Sequence, residues 1–165
     1  MFAVTKGKLL GHVISERGIS IDPKRIEAIS KIGLLASQKE LKSFFGKINF
    51  VRKFITRFAE IVRPLNDMLK KGARIDWTPI ARKAFEEIKQ AIVDASVLLS
   101  LDYTKPFYIY SFASEHTCAT ILTQKVDDQD EHPIAFMSSP LKDAELRYLN
   151  VEKQAYALVK EIKKF

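Results

Sequence analysis

Hydrophobic and polar positions change period several times along the chain, and each change marks an element. "KLLGHVIS" (8–15) and "GISID" (18–22) are short β-prone runs joined by "ERG", where Gly18 tolerates positive φ, so residues 8–22 read as a hairpin. "DPKRIEAISKI" switches to helical spacing: Ile26, Ile29 and Ile32 share a face, Asp22 is the N-cap, Pro23 takes the first helical position and Gly33 stops the helix. The strongest helical pattern, "SQKELKSFFGKINFVRKFITRF", predicts one helix over 37–57. Ser37 and Glu40 have capping-box spacing, and Leu41, Phe44, Phe45, Ile48, Val51 and Ile55 make its apolar stripe. A shorter helix is predicted around Pro64, and a further one from an N-cap at Thr78, with Pro79 in its first turn and Ala84, Phe85, Ile88 and Ile92 inward. Residues 23–95 thus read as a compact helical unit whose core Trp77 plugs, in preference to stacking on a base.

After "VLLSLDYTKP" the architecture changes. "FYIYSF", "ATILTQK" and "HPIAFMSS" read as three strands, with the acidic "VDDQDE" turning between the last two, and "AELRYLNVEKQAYALVKEIKKF" reads as a final helix running to the last residue. The expected class is α+β: a hairpin and a helical bundle, then three antiparallel strands and a helix.

With 165 residues, 47% hydrophobic and 28% charged, the chain has the composition of a globular protein with one core or two small ones. The one cysteine, Cys118, excludes an intramolecular disulfide and a cysteine-only zinc site. No apolar run approaches the roughly 18 residues of a membrane span, and the first residues lack the zones of a signal peptide, so an intracellular protein without a membrane partner is expected. The net charge of +7 is unevenly spread: residues 1–100 hold 19 Lys/Arg against 10 Asp/Glu, and residues 101–165 hold 8 against 10. Only the first part has the charge of a polyanion binder. Opposite the aromatic stripe, Lys39, Lys42, Gly46, Asn49, Lys53 and Arg57 recur every three or four residues, a cationic row with a glycine through which a sugar-phosphate backbone could approach. A solvated helix face is the competing reading. Gly46 costs roughly 1 kcal/mol against alanine inside a helix, so a packing or contact reason is expected for it.

"KLLGHVISERGISIDPKRIEAI", "KELKSFFGKINFVRKFITRFAEIVRPLNDMLKKG", "IDWTPIARKAFEEIKQAIV", "HPIAFMSSPLKDAELRY" and "VEKQAYALVKEIKKF" together resemble, in order and over nearly the whole chain, the pol polyprotein of gypsy-type LTR retrotransposons, with gammaretroviral reverse transcriptases as more distant relatives. The resemblance implies that residues 1–22 are the end of the polymerase palm, 23–99 the helical thumb, and 100–165 a ribonuclease H-like or connection domain, incomplete here because three antiparallel strands and a helix only begin that fold. It implies that Leu10, Gly11 and His12 lie on the hairpin that holds a primer terminus. It implies a nucleic-acid duplex and the remainder of the polyprotein as partners, and a cytoplasmic, nuclear or virus-like-particle setting if the chain is expressed. The palm carboxylates would precede Met1. Val126-Asp127-Asp128 mimics their motif but follows Lys125 and reads as a solvated turn, and Asp94-Ala95-Ser96 falls at a helix end before the strands begin.

Ribonuclease H chemistry needs two Mg²⁺ about 4 Å apart held by several carboxylates. By the resemblance, the strand ligand aligns with Phe112 in "FAS" and the helix ligand with Gln154 in "EKQ". A phenyl ring does not ligate Mg²⁺, and an amide is a poor hard-cation ligand. Glu115 and Glu152 are nearby carboxylates, but Glu152 points about 200° away from Gln154 on a helix. A duplex-holding, catalytically degenerate segment without a cofactor of its own is therefore expected, Mg²⁺ belonging to the full-length enzymes. The alternative is residual endoribonuclease activity on RNA/DNA hybrids.

Overall fold

Leu10 and Gly11 break the first β-prone run in two. Both have positive φ, 48° and 84°, as a two-residue hairpin turn that matches strand twist requires. In the computed structural model, which describes residues 5–126 and 130–163, β1 (Lys6–Leu9) and β2 (His12–Ser15) pair antiparallel across this turn, and β3 (Gly18–Ile21) pairs with β2. The hairpin expected over 8–22 is thus a three-stranded sheet. Gly18 sits at φ 118°, where a side chain is strained and also has no room: a Cβ there would lie 2.2 Å from the Leu98 carbonyl oxygen. That close approach lets Ile19 and Leu98 exchange both backbone hydrogen bonds, at 2.7 and 2.8 Å.

The helix starts follow local chemistry. Asp22 caps α1 (Pro23–Ser30), Ser37 caps α2 (Gln38–Ile48) and Thr78 caps α5 (Pro79–Val93), each side chain accepting from a first-turn amide. The long helix expected over 37–57 ends earlier. After Ile48 the chain tightens into a 3₁₀ helix, Asn49–Phe54, becomes extended at Ile55, and is left-handed at Arg57. Val51 and Phe54 are both buried, and a three-residue turn keeps them on one side. The helix expected around Pro64 is likewise two short ones, α3 (Phe58–Ile61) and α4 (Arg63–Asp67), since proline at the start of α4 supplies no amide for a continuous helix.

Phe44, Phe85, Leu41, Ile48, Leu65, Ile88 and Ile92 fill the core of this unit. Trp77 packs edge-on to Phe85 with centroids 5.2 Å apart, and its indole N–H donates to the Leu35 carbonyl at 2.8 Å, so it plugs the core as expected. The first sheet docks on the unit through His12, whose ring stacks on Phe54 (5.4 Å) and meets Phe50 edge-on (5.7 Å).

The second sheet has the order β4-β5-β6, from β4 (Tyr108–Ala113), β5 (Thr117–Val126) and β6 (Asp130–Pro140), all antiparallel. Asp127, Asp128 and Gln129 of the acidic turn lie outside the described residues, as do residues 1–4, Lys164 and Phe165. α6 (Asn150–Ile162) covers one face, where Cys118, Leu141 and Ala157 form a small second core. It begins later than the predicted 144: residues Asp143–Arg147 are 3₁₀, and Glu152 accepts from the Leu149 amide at 2.8 Å, starting the α-helix there. The other face turns toward the helical unit, with Phe136 packed on its core and the Ala59 amide donating to Ser138 Oγ at 2.9 Å. Leu99 donates to the Pro133 carbonyl at 2.9 Å. The α+β class holds.

Two outcomes are expected of this packing. Gly18→Ala meets both the strained φ and the Leu98 carbonyl, and should cost about 2–3 kcal/mol in urea unfolding. His12 has its pKa held below the ordinary 6.5, by burial first and then by the Lys53 charge. The unfolded chain therefore takes up this proton before the folded one, so the stability His12 contributes is complete above pH 6.5 and is lost as pH falls through its folded pKa. Urea midpoints measured from pH 7.5 to 5 should fall less for His12→Phe than for the parent chain.

Candidate nucleic-acid interface

α2 carries the first group of candidate residues. Leu41, Phe44 and Ile48 face the core, which leaves Lys39, Lys42 and Gly46 on the opposite, exposed side, followed by exposed Asn49 at the first 3₁₀ position. Among the described residues no carboxylate lies within 4.0 Å of Lys39 or Lys42. Among the described residues, apart from its own helix backbone and chain neighbours, Gly46 has nothing within 4 Å of the position a Cβ would take. Its flexibility therefore answers no packing need inside this chain.

The change to 3₁₀ geometry takes the row's last two members off this ridge. Lys53 is half-buried, its ammonium 5.3 Å from the Phe54 ring centroid, on the aromatic ring that stacks on His12. Arg57, left-handed and exposed, lies 3.9 Å from Glu60 and faces the second sheet. Sequence spacing grouped six residues; the backbone keeps four together and moves Lys53 toward the hairpin.

The second group is the hairpin turn. Leu10 is 82% exposed while holding a left-handed backbone that costs an L-residue about 1–3 kcal/mol. Gly11 accepts from the Asp22 amide at 3.1 Å and lies against the Arg25 side chain: a Cβ at Gly11 would be 2.5 Å from Arg25 Nε. The Arg25 guanidinium also sits 4.6 Å from the Phe50 centroid. His12 Nε2 is buried with no hydrogen-bond partner among the described residues, and Lys53 and Arg25 both push its pKa down, a sign of positive potential at this junction. Arg25, Lys47 and Phe50, which line one recess here, escaped sequence reading because Arg25 belongs to α1 and meets the other two only through the packing of the chain.

The positions aligned with metal ligands lie at the end of β4. Phe112 is 54% exposed and, with Thr56, Arg57, Ile121 and Phe136, lines a cavity of about 380 Å³ between the sheet and the turn after the 3₁₀ helix. Ala113, one residue on, faces α6 instead. Gln154 reaches from α6 to the Ala113 carbonyl at 3.4 Å, whereas the Phe112 ring lies on the opposite face of the sheet, so the two side chains do not face each other. Glu152 is occupied by the Leu149 amide, and the exposed Glu115 carboxylate lies 3.9 Å from His116. No group of three or more His, Cys, Asp or Glu among the described residues could hold a metal ion. Asp94 sits at the end of α5, accepting from Gln90, and belongs to no strand.

Comparison with known proteins supplies the family. Residues 77–165 match the model of the RNase H-like domain found in reverse transcriptase, a span that opens on Trp77, ahead of the boundary expected at residue 100. The Tf2-3 and Tf2-4 transposon polyproteins of Schizosaccharomyces pombe are each 33% identical over 162 residues, 98% of this chain and 12% of theirs. The chain thus spans about an eighth of the length of these relatives. A foamy viral protease-reverse transcriptase in complex with double-stranded DNA superposes with TM-score 0.84 at 28% identity, over 96% of this chain and 28% of that one. The same kind of protein bound to an RNA/DNA hybrid gives TM-score 0.84 at 28% identity, over 97% and 22%. Its resemblance to gypsy-type retrotransposon polyproteins holding from end to end, the chain belongs to the family of RNase H-like domains found in reverse transcriptases.

Proposed function

We propose that this chain is the part of a retrotransposon polyprotein that holds a nucleic-acid duplex and couples it to a ribonuclease H-like domain without metal chemistry of its own. In this reading the first sheet ends a polymerase palm and presents Leu10 and Gly11 to a primer terminus, residues 23–99 are the thumb, and the second sheet is a connecting spacer. The observation that carries it is Gly46. A glycine inside α2 costs about 1 kcal/mol, and among the described residues nothing packs where its Cβ would be and no carboxylate pairs with Lys39 or Lys42 beside it. A strand of phosphates brought close against the ridge accounts for all three. That the foamy viral relatives were solved on double-stranded DNA and on an RNA/DNA hybrid supports the same reading.

Mg²⁺ does not fit the residues at the candidate ligand positions. Phe112 brings an apolar ring and Gln154 a neutral amide already directed at a backbone carbonyl, and no carboxylate cluster surrounds them among the described residues. No hydrolytic step is assigned to this chain.

Gly46→Ala should raise the stability of the free chain by about 0.5–1 kcal/mol and weaken duplex binding, on the order of tenfold for one obstructed approach of about 1.4 kcal/mol. Gain of stability with unchanged affinity would remove the main support for the reading. Phosphate contacts by Lys39 and Lys42, the two cations left on the ridge, predict a roughly 12-fold fall in affinity between 50 and 200 mM salt, with little sequence preference. A labelled RNA/DNA hybrid incubated with the chain and Mg²⁺ should stay intact, and should remain so with Phe112→Asp and Gln154→Glu combined. Efficient cutting by the unaltered chain would establish the endoribonuclease alternative instead.

A further inference from the structure

The recess between α1 and the end of α2 holds a guanidinium that the duplex-holding ridge does not explain. We propose that Arg25, with Lys47 across the recess, forms a second binding site, for a phosphodiester of the nucleic-acid backbone, next to the hairpin turn. The inference rests on the nucleic-acid reading above and adds to it a contact outside the α2 ridge.

Three features of the junction support it. The Arg25 side chain is in contact with two rigid groups at once: the backbone of Gly11, where a Cβ would come within 2.5 Å of Nε and 2.7 Å of Cζ, and the Phe50 ring, 4.6 Å from Cζ to centroid. A guanidinium placed in this way has lost much of its rotamer freedom before any ligand arrives, and its planar fork of donors matches the oxygens of a phosphate. Its charge is also unspent. No carboxylate lies within 4.0 Å of Arg25 or Lys47 among the described residues. Arg25 and Lys47 line one recess of about 180 Å³ with Ala28, Ile29 and Phe50, so the two cations share one opening.

Position supplies the third feature. Gly11 belongs to the same two-residue turn as exposed Leu10, so a phosphate held by Arg25 would lie beside whatever strand the turn meets. Glycine at 11 is required twice over: its φ of 84° favours glycine, and any larger residue displaces the guanidinium. The turn and the phosphate site are thereby built from one contact.

The test uses the 165-residue chain with two probes. In the first, inorganic phosphate is titrated against the Arg25 Nε–H resonance, with sodium chloride of equal ionic strength as the control. A phosphate-dependent shift that Lys47→Gln weakens is expected; a resonance that responds to both salts alike overturns the site. In the second, duplex affinity is measured against salt for the parent chain, Arg25→Gln and Lys47→Gln. Each variant should flatten the log-log slope by about 0.9, equivalent to a roughly 3-fold smaller loss of affinity between 50 and 200 mM. Lys47→Gln does not touch the hairpin, so a flattened slope in that variant cannot come from a disturbed turn. Duplex binding with an unchanged slope in both variants overturns the site and leaves the α2 ridge standing. A phosphate-responsive Arg25 in a chain that binds no duplex has the opposite meaning: the anion site stands and the proposed function fails.

Discussion

Two consecutive residues, Leu98 and Leu99, hold the molecule's parts in relation to one another. Leu98 exchanges both backbone hydrogen bonds with Ile19 of the first sheet, and Leu99 donates to Pro133 of the second. Leu98 is also fully inside the core of the helical unit. Sheet, helices and sheet therefore meet on one short extended segment, and the arrangement depends on Gly18 leaving room for the Leu98 carbonyl. A burial pattern alone fixes which face of an element is inside; this backbone contact fixes how far along each other the elements lie. The contact between Ser138 and the Ala59 amide acts in the same direction from the other side of the joint.

What could be read from the sequence was what local chemistry determines. The caps at Asp22, Ser37 and Thr78, the proline at the start of α5, the stripe of Leu41, Phe44 and Ile48, and the three strands of the second sheet all follow from spacings of a few residues. The misses share a different cause. Leu10 belongs by type in a strand, but lies in a turn because its neighbour is glycine and because the turn packs on Arg25, a residue of another element. The apolar stripe across 37–57 stays buried past Ile48, at Val51 and Ile55, but the α-helix ends at Ile48. Beyond it, His12 meets Phe50 and Phe54 and β6 packs on the 3₁₀ segment, and those tertiary contacts favour a tighter turn than the α-helical pattern suggests. Tyr148 and Leu149 had helical company on both sides, yet the carboxylate of Glu152 selects a later start.

The candidate site divides along the same line. Lys39, Lys42, Gly46 and Asn49 were legible because they share one regular helix. Lys53 and Arg57 were placed with them by extrapolating that helix, and the change of backbone geometry carried them elsewhere. Arg25 and Lys47 had no pattern to reveal them, since their proximity is a product of α1 packing against the end of α2. The two positions aligned with metal ligands came only from family resemblance; in the fold Gln154 meets the backbone of Ala113, and the Phe112 ring lies on the other face of the sheet.

The joint at Leu98 and Leu99 also constrains chain length. Each of the two residues docks on a different sheet, so adding or removing one between them would pull one of the two backbone contacts out of place. Substitutions at this place can be absorbed by neighbouring side chains; a change in residue number cannot. The stretch at 70–72, which follows α4 and ends at positive-φ Gly72, is under no such rule, although the Ala73 carbonyl just beyond it is held by Gln38. Two connections that look equally unstructured in the sequence thus differ in kind, one behaving as a spacer of fixed length and the other as slack.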